Sequence, residues 1–310
     1  MIRPLRRCFG AWRPWRRLVK PPRFDYLAPT SLDEALALLG QHGEEAKILA
    51  GGQSLVPLLN FRLVRPAYLV DLNEIRGLDG IRADDGHLVI GAMTRQRAVE
   101  TSALVHERCP LLAEAMPQIG HVQIRNRGTV GGSLAHADPA AELPAVVAAL
   151  DGEIVLQSAR GRRQLTAEQF FVGYLTTAAD PTELVIEVKL PATPRRTGSA
   201  FLEVSRRHGD FALVGVAATL TLDEAGVCTA CAVAVTGVGP TPAVARDAAR
   251  ALVGGKPSPQ AIEDVSRRVS QALRPDSDLH ASSDYRKDVA GVLTRRALTR
   301  AAERASGAGR

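Results

Sequence analysis

The spacing of apolar positions predicts alternating helices and strands over the first two thirds of the chain. Leu36 and Leu39 lie on one apolar face, and Ser31 and Glu34 have the spacing of a capping box. Helices are predicted at residues 31–39, 55–59, 94–105, 111–116 and 143–150, and strands at 48–50, 68–72, 87–90, 153–157 and 184–190. Mixed elements with short connections indicate an α+β fold.

A second module is predicted after a segment rich in Pro, Thr and Gly at residues 191–198, which has the composition of a linker. Apolar runs at residues 211–222 and 227–235 flank the turn sequence DEAG, and this pattern is typical of a β-hairpin. Helices are predicted at residues 258–273, opened by Ser258 and Pro259, and at residues 284–305. This module is also α+β.

Composition describes an ordinary globular protein, with 45% hydrophobic and 23% charged residues in a chain of 310. That length exceeds one compact core and fits two or three domains. No stretch of about 18 apolar residues is present, so no membrane span is predicted. Four scattered cysteines favour a reducing cytoplasm over a disulfide framework.

The net charge of +6 comes from the N-terminus. Six of the 39 Lys and Arg residues lie in residues 1–18, which leaves 33 basic residues against 33 acidic ones. A nucleic-acid-binding protein would keep a basic surface on its folded body, so this class is disfavoured. Residues 1–19 are predicted to be a disordered basic extension, whose translation in the native protein is left open. Its removal is expected to leave ligand binding intact.

Two glycine-rich segments are the candidate phosphate site. The first glycine segment, residues 50–54, has the sequence AGGQS, and the second, residues 129–133, has the sequence TVGGS. Glycine lets backbone N–H groups approach a pyrophosphate closely, and a helix starting near Leu55 would add its N-terminal dipole. The candidate contacts are Ala50, Gly51, Gly52, Gln53, Ser54, Leu55, Thr129, Val130, Gly131, Gly132 and Ser133. A Cβ at Gly52 or Gly132 is expected to fill the space that phosphate needs.

Each glycine segment alone is also compatible with a tight structural turn. Neither has the G-x-G-x-x-G spacing of a Rossmann site, and no Walker A sequence is present. Downstream, Asp138 can accept hydrogen bonds from ribose or ribityl hydroxyls, or it can cap the segment that begins at Pro139. The two roles of Asp138 are compatible.

Cys228 and Cys231 have the C-x-x-C spacing of redox and metal sites. They fall in a predicted strand, where an odd separation sends the two side chains to opposite faces. A metal or redox role is therefore not predicted for this cysteine pair. His136, beside the second glycine segment, is interpreted as a hydrogen-bonding or solvent-facing residue.

Five sequence segments together resemble one family. The motifs AGGQSLVP, RPAYLVDLNEI, TVGGSLAHADPAAELP, SRRHGDFA and SDYRK occur in this order over residues 20–302. As a set they resemble the medium, FAD-binding subunit of aerobic carbon monoxide dehydrogenase and its xanthine dehydrogenase relatives. The resemblance implies a PCMH-type FAD-binding domain at residues 20–194, with two subdomains split near residue 75. A smaller α+β C-terminal domain of the CO dehydrogenase flavoprotein type would follow at residues 199–303.

The resemblance also implies the cofactor contacts. FAD would be held non-covalently by the two glycine segments, with Asp138 beside the cofactor and Phe211 against the isoalloxazine ring. Relatives often carry a lysine just before the SRRHGDFA motif. Leu202 and Glu203 stand there in this chain, which puts a cationic contact to the flavin in question.

The implied function is electron transfer within a molybdenum hydroxylase, an oxidoreductase. A large subunit would hold molybdopterin, a small subunit would hold [2Fe–2S] clusters, and FAD in this chain would pass electrons to an external acceptor. A cytoplasmic dimer of heterotrimers is expected, with peripheral association to the inner membrane left open. No catalytic residue is assigned to this chain. The alternatives are a self-contained flavin oxidoreductase and a flavin-free assembly protein; the substrate and acceptor are not predicted.

Overall fold

The computed structural model describes residues 20–307 and begins with a small parallel sheet. Strands β1 and β2 pair with the two sides of β3, so the order is β1-β3-β2. The elements are β1 (Asp25–Leu27), α1 (Leu32–His42), a 3₁₀ turn (Gly43–Glu45), β2 (Ala46–Leu49), α2 (Leu55–Asn60) and β3 (Tyr68–Asp71). The first glycine segment therefore connects the end of β2 to the start of α2.

Helix α1 begins as the sequence predicts, with one difference in its cap. Ser31 accepts a hydrogen bond from the backbone N–H of Glu34. The Glu34 carboxylate, however, accepts from the N–H of Thr30 at 2.8 Å, one residue before the helix cap. The predicted capping box is therefore wrong in one of its two bonds, because the Glu34 carboxylate accepts from Thr30 and not from the N–H of Ser31. The N–H groups of Glu34 and Thr30 both have an acceptor.

The second sheet is antiparallel, in the order β4-β5-β10-β6-β7. Its strands are β4 (Ile81–Asp84), β5 (His87–Gly91), β6 (Glu153–Ser158), β7 (Gly161–Thr166) and β10 (Leu184–Pro191), and a small hairpin contributes β8 (Phe171–Gly173) and β9 (Thr176–Thr177). The helices are α3 (Gln96–Glu100), α4 (Ala103–Arg108), α5 (Pro110–Ala115), α6 (Val122–Arg127), α7 (Val130–His136), α8 (Glu142–Ala149) and α9 (Ala167–Phe170). Every residue of α8 is buried, as its continuous apolar run predicts.

The single helix predicted at residues 94–105 is wrong. Two helices occupy this stretch, because Ser102 accepts a hydrogen bond from the N–H of Val105 and caps a new helix, α4. Serine competes for backbone N–H groups and therefore favours a helix start over a helix interior.

The third sheet is an antiparallel meander in the order β11-β12-β13-β14. Its elements are β11 (Thr197–Val204), β12 (Val214–Leu222), β13 (Cys228–Thr236), β14 (Ala243–Val244), α10 (Arg246–Arg250), α11 (Pro259–Ala272) and α12 (Ser283–Ser306). The predicted hairpin is confirmed, since Asp223 and Val227 bond across its turn. Strand β12 starts only at Val214, so Phe211 lies in the β11–β12 connection.

The two cysteines of the C-x-x-C sequence lie on one face of β13, against the prediction. Cys231 pairs with Leu220 and Cys228 pairs with Leu222, and these partners are two residues apart on β12. The register shifts by one residue between them, which is a β-bulge that restores the same orientation. Burial raises the pKa of Cys231 to about 12, so the neutral thiol is strongly favoured there.

These elements confirm the α+β class, and their buried residues form three apolar clusters, two of which take residues from more than one sheet. Among residues 20–307, no helix is long and apolar enough to cross a membrane.

Candidate functional site

A cavity of about 1320 Å³ lies where the three parts of the fold meet. Its volume exceeds the roughly 300–1,000 Å³ usual for drug-sized ligands, so it can hold a large molecule. The first glycine segment, the start of α7 and the β8–β9 turn line it from the N-terminal side. The β11–β12 connection and Arg286 of α12 line it from the C-terminal side.

The first glycine segment presents a row of unused backbone donors. Within residues 20–307, the N–H groups of residues 50–55 donate to no protein acceptor. Gly52 has φ +73°, a conformation that favours glycine, and the Gln53 amide donates to the Gly51 carbonyl at 3.1 Å. Backbone N–H groups left without a partner at a cavity wall are suited to bind anionic oxygens.

The second glycine segment is helical, and most of its backbone amides are bonded within the protein. Thr129 is the N-cap of α7, and its hydroxyl accepts from the N–H of Gly132 at 3.1 Å. The N–H groups of Val130 and Gly131 donate to Thr94 and Ala92 at 3.1 and 2.8 Å. These three amides are already committed within the protein, so the segment offers the cavity its surface and the Ser133 hydroxyl rather than these donors.

Close packing between backbones explains two of the glycines. A Cβ on Gly51 would lie 2.8 Å from the Cα of Gly128, because the first glycine segment rests on the end of α6. A Cβ on Gly131 would lie 2.5 Å from the Cβ of Ala92 at the end of β5. These glycines bring three pieces of backbone together around one edge of the cavity.

A Cβ at Gly52 or Gly132 would meet protein atoms, which gives a substitution at either position a structural effect besides the predicted loss of space for phosphate. At Gly52 it would lie 3.2 Å from side-chain carbons of Leu49 and Val56. At Gly132 it would lie 2.7 Å from the hydroxyl oxygen of Thr129. Both directions point at protein atoms, so substitution acts through the backbone and the helix cap.

Asp138 caps the turn before α8, which is one of the two roles that the sequence left open. Only one of its carboxylate oxygens is used for this, so the second can accept a hydrogen bond from a ligand. Its Oδ1 accepts the N–H of Ala140 at 2.8 Å, which closes a turn before α8. Its Oδ2 lies 3.9 Å from Nε2 of His136 and faces the cavity lining. Asp138 and the two glycine segments are therefore brought together around one cavity.

Phe211 is 68% exposed in the β11–β12 connection, and it also lines the cavity. Arg286 holds this connection in place, since its guanidinium donates to the carbonyls of Leu213 and Gly237 at 2.5 and 2.8 Å. The same guanidinium donates to Asp278 at 2.7 Å. An aromatic face left open beside a cavity is suited to stacking on a planar ring.

Glu142 at the cavity was not singled out from the sequence, and Glu203 was noted only because it stands where relatives carry a lysine. Glu142, the first residue of α8, lines the cavity although it is only 7% exposed. Burial, with a contribution from the negative charge of Asp138, raises the pKa of Glu142 to about 7. Burial raises the pKa of Glu203 to about 8, with a contribution from the charge of Glu142. The sequence did contain a signal for Glu142, since an acidic residue stands directly before the apolar run that predicts a buried helix.

The fold and cavity define a two-part protein that binds a large ligand with an anionic group and a planar ring. Two family models match the chain. Residues 22–193 match the FAD binding domain in molybdopterin dehydrogenase, and residues 199–301 match the CO dehydrogenase flavoprotein C-terminal domain. The chain therefore belongs to the FAD-binding medium subunits of the molybdenum hydroxylases, and it is a subunit of an oxidoreductase of the carbon monoxide dehydrogenase and xanthine dehydrogenase type.

Individual relatives align over almost their whole length. The chain is 45% identical to the 6-hydroxypseudooxynicotine dehydrogenase complex subunit alpha of Paenarthrobacter nicotinovorans, covering 93% of this chain and 97% of that protein. It is 39% identical to the carbon monoxide dehydrogenase medium chain of Hydrogenophaga pseudoflava, covering 91% and 98%.

Solved structures agree with the family. Carbon monoxide dehydrogenase from Hydrogenophaga pseudoflava matches with a TM-score of 0.88 at 40% identity, over 91% of this chain and 98% of that one. Quinoline 2-oxidoreductase from Pseudomonas putida 86 matches with a TM-score of 0.88 at 37% identity, over 92% and 99%. The resemblance inferred from the motifs and the expected FAD cofactor are confirmed.

Proposed function

We propose that this chain is the electron-transferring subunit of a heterotrimeric molybdenum hydroxylase, carrying FAD in the cavity described above. The observation that carries the proposal is the row of N–H groups at residues 50–55, which find no acceptor among the described residues, on a cavity that also exposes Phe211. The first feature fits a pyrophosphate and the second fits an isoalloxazine ring. When bound, FAD would accept electrons and pass them to an external acceptor.

The chain's own residues would bind and orient the cofactor. The proposed contacts are Ala50, Gly51, Gly52, Gln53, Ser54, Leu55, Thr129, Val130, Gly131, Gly132, Ser133, Asp138 and Phe211. Among these, we assign pyrophosphate binding to the backbone of residues 50–55. We assign the second glycine segment to shaping the cavity and to hydroxyl contacts through Ser133. Asp138 would accept hydrogen bonds from hydroxyls of the cofactor through Oδ2, and Phe211 would lie against the ring.

The proposed assembly is a heterotrimer with a large molybdopterin subunit and a small [2Fe–2S] subunit, paired into a dimer of heterotrimers in the cytoplasm. Names of similar proteins support the multi-subunit arrangement, since they include a complex subunit alpha and a carbon monoxide dehydrogenase medium chain. In this arrangement the chain would hold FAD within reach of the iron–sulfur subunit, and the large subunit would select the substrate.

Cofactor content and electron flow test the proposal together. The purified chain is expected to release one equivalent of FAD on acid denaturation, because no covalent link is proposed. In the complex purified with its partner subunits, the substrate of the large subunit is expected to bleach the flavin absorbance. Turnover of a reductant by the isolated chain would instead indicate a self-contained oxidoreductase, and a chain that takes up no FAD would indicate an assembly protein.

A further inference from the structure

The side chain of Asn73 binds the first carbonyl of the first glycine segment. Strands β2 and β3 pair up to their ends, and just beyond β3 the N–H of Leu72 donates to the carbonyl of Leu49 at 3.0 Å. One residue further along both segments, the Asn73 side-chain amide donates to the carbonyl of Ala50 at 3.0 Å. Asn73 therefore continues the strand pairing by one step, at the point where the glycine segment begins.

Two charged residues hold the Asn73 amide in one orientation. Its nitrogen donates to the carboxylate of Asp71 as well as to Ala50, and its oxygen accepts from Nη2 of Arg95 at 2.5 Å. The backbone N–H of Asn73 donates to the same Asp71 oxygen at 2.9 Å. Because acceptors surround the amide nitrogen and a cation meets the oxygen, only this orientation of the amide satisfies every group.

Arg95 also connects Asn73 to the backbone on which the first glycine segment rests. Its Nη1 donates to the carbonyl of Arg127 at 2.6 Å, at the end of α6. Gly51 packs against this part of the chain, since a Cβ there would lie 2.8 Å from the Cα of Gly128. One guanidinium therefore holds both the side chain that binds Ala50 and the surface beneath Gly51.

Fixing a carbonyl also fixes the N–H group of the same peptide. In a trans peptide the C=O and N–H bonds point in opposite directions, so Asn73 at the Ala50 carbonyl directs the N–H of Gly51 away from itself. The next peptide is fixed similarly, because the Gln53 amide donates to the Gly51 carbonyl at 3.1 Å. The N–H groups of Gly51 and Gly52, which find no acceptor among residues 20–307, are thus oriented by side chains.

We propose that Asn73, held by Arg95 and Asp71, is a positioning residue for FAD, because it directs the Gly51 N–H toward the cofactor pyrophosphate. The proposal rests on the proposed function, since it requires a pyrophosphate at residues 50–55. Asn73 lines a second, smaller cavity and not the one proposed for FAD, so it acts through the backbone. Glycine permits many backbone conformations, and an amide that is oriented before binding costs less entropy when the ligand arrives.

The experiment compares wild type, Asn73→Ala and Asn126→Ala. Asn126 is exposed on α6, so the control makes the same chemical change outside the network. Titration of the flavin-free proteins with FAD is expected to give a dissociation constant about tenfold higher for Asn73→Ala, because the Gly51 peptide can turn. Asn126→Ala is expected to match wild type. Equal dissociation constants in all three proteins would overturn the proposal.

A second readout separates positioning from a general loss of stability. At saturating FAD, phosphorus NMR is expected to show shifted pyrophosphate signals in Asn73→Ala. The visible absorption spectrum of the flavin, which reports on the ring, is expected to stay as in wild type. If Asn73→Ala only lowered the free energy of unfolding and left the phosphorus signals unchanged, Asn73 would be a structural residue and the proposal would fail.

Arg95→Lys provides the test if Asn73→Ala does not fold. Lysine keeps the positive charge but lacks the fork that binds Asn73 and Arg127 together, so FAD is expected to bind about threefold more weakly, with the same change in phosphorus signals. Wild-type affinity and signals in this variant would overturn the proposal. A wild-type chain that binds no FAD would overturn the proposed function and this inference together. Tight FAD binding by wild type and variants alike would overturn this inference alone.

Discussion

The two glycine segments look alike in sequence but differ in what their backbones do. Both contain Gly-Gly followed within two residues by serine. In the first, the N–H groups of residues 50–55 have no acceptor within the part of the chain that the structure describes. In the second, the N–H groups of Val130, Gly131 and Gly132 are all bonded within the protein. The first segment leaves its amides available for the proposed cofactor, whereas the second uses its glycines for close packing of the fold.

The largest expected effect comes from Gly131, where an added methyl would lie 2.5 Å from the Cβ of Ala92. Gly131→Ala is expected to lower the free energy of unfolding of the flavin-free protein by about 3 kcal/mol, because α7 must shift away from β5. Urea unfolding measures this loss. Gly40→Ala is the matched control, since Gly40 is also helical and has open space around its Cα. An equal, small effect at both positions would show that the second segment is not a packing element.

Gly52 tests the first segment. Gly52→Ala at φ +73° is expected to weaken FAD binding about 100-fold, or about 2.7 kcal/mol, because the chain leaves the left-handed region and redirects its free N–H groups. Titration of the flavin-free protein with FAD gives the dissociation constant. Gly226→Ala is the control, since Gly226 has φ +77° in the β12–β13 turn and carries a similar backbone cost away from the cavity. Unchanged FAD affinity in Gly52→Ala would contradict the assignment of pyrophosphate to these amides.

The pH dependence of stability should also differ between the two regions, because only the second segment leads into a buried acid. The folded pKa of Glu142 is raised from 4.5 to about 7, so its stabilising contribution is present in acid and is lost as the pH rises through about 7. Between pH 5 and pH 8, the flavin-free wild type is expected to lose roughly 2 kcal/mol relative to Glu142→Gln. Urea unfolding at the two pH values, with Glu224→Gln in an exposed turn as control, checks the sign. A wild type that gains stability relative to the variant over this range would refute it.

Local signals in the sequence predicted much of the fold. The apolar face of α1, the Ser258 cap of α11 and the DEAG turn each act over a few residues, and all three are present. The cofactor family followed from motifs, and the first glycine segment lies on the cavity as predicted.

The errors arise where a distant part of the chain decides the outcome. The local sequence around Gly131 is compatible with a loop, but the carbonyl of Ala92 accepts its N–H. The β-bulge that places Cys228 and Cys231 on one face is visible only in the pairing of β12 with β13. Glu142 and Glu203 lie on a helix and a strand far apart in sequence, so nothing local indicates that the charge of one raises the pKa of the other. Contacts between segments that are far apart in the sequence are determined by tertiary packing, and local propensities carry no information about them.

The smallest expected effect, at Thr129, separates the two segments most directly. Thr129→Val removes the hydroxyl that caps α7 and frees the Gly132 N–H. Because this bond is structural, its loss is expected to cost about 1 kcal/mol of unfolding free energy and to change FAD affinity by no more than about threefold. Thr129→Ser keeps the hydroxyl and is expected to match wild type in both measurements. If Thr129→Val bound FAD more tightly, the freed Gly132 amide would be contacting the cofactor. The second segment would then bind FAD through backbone N–H groups, as proposed for the first.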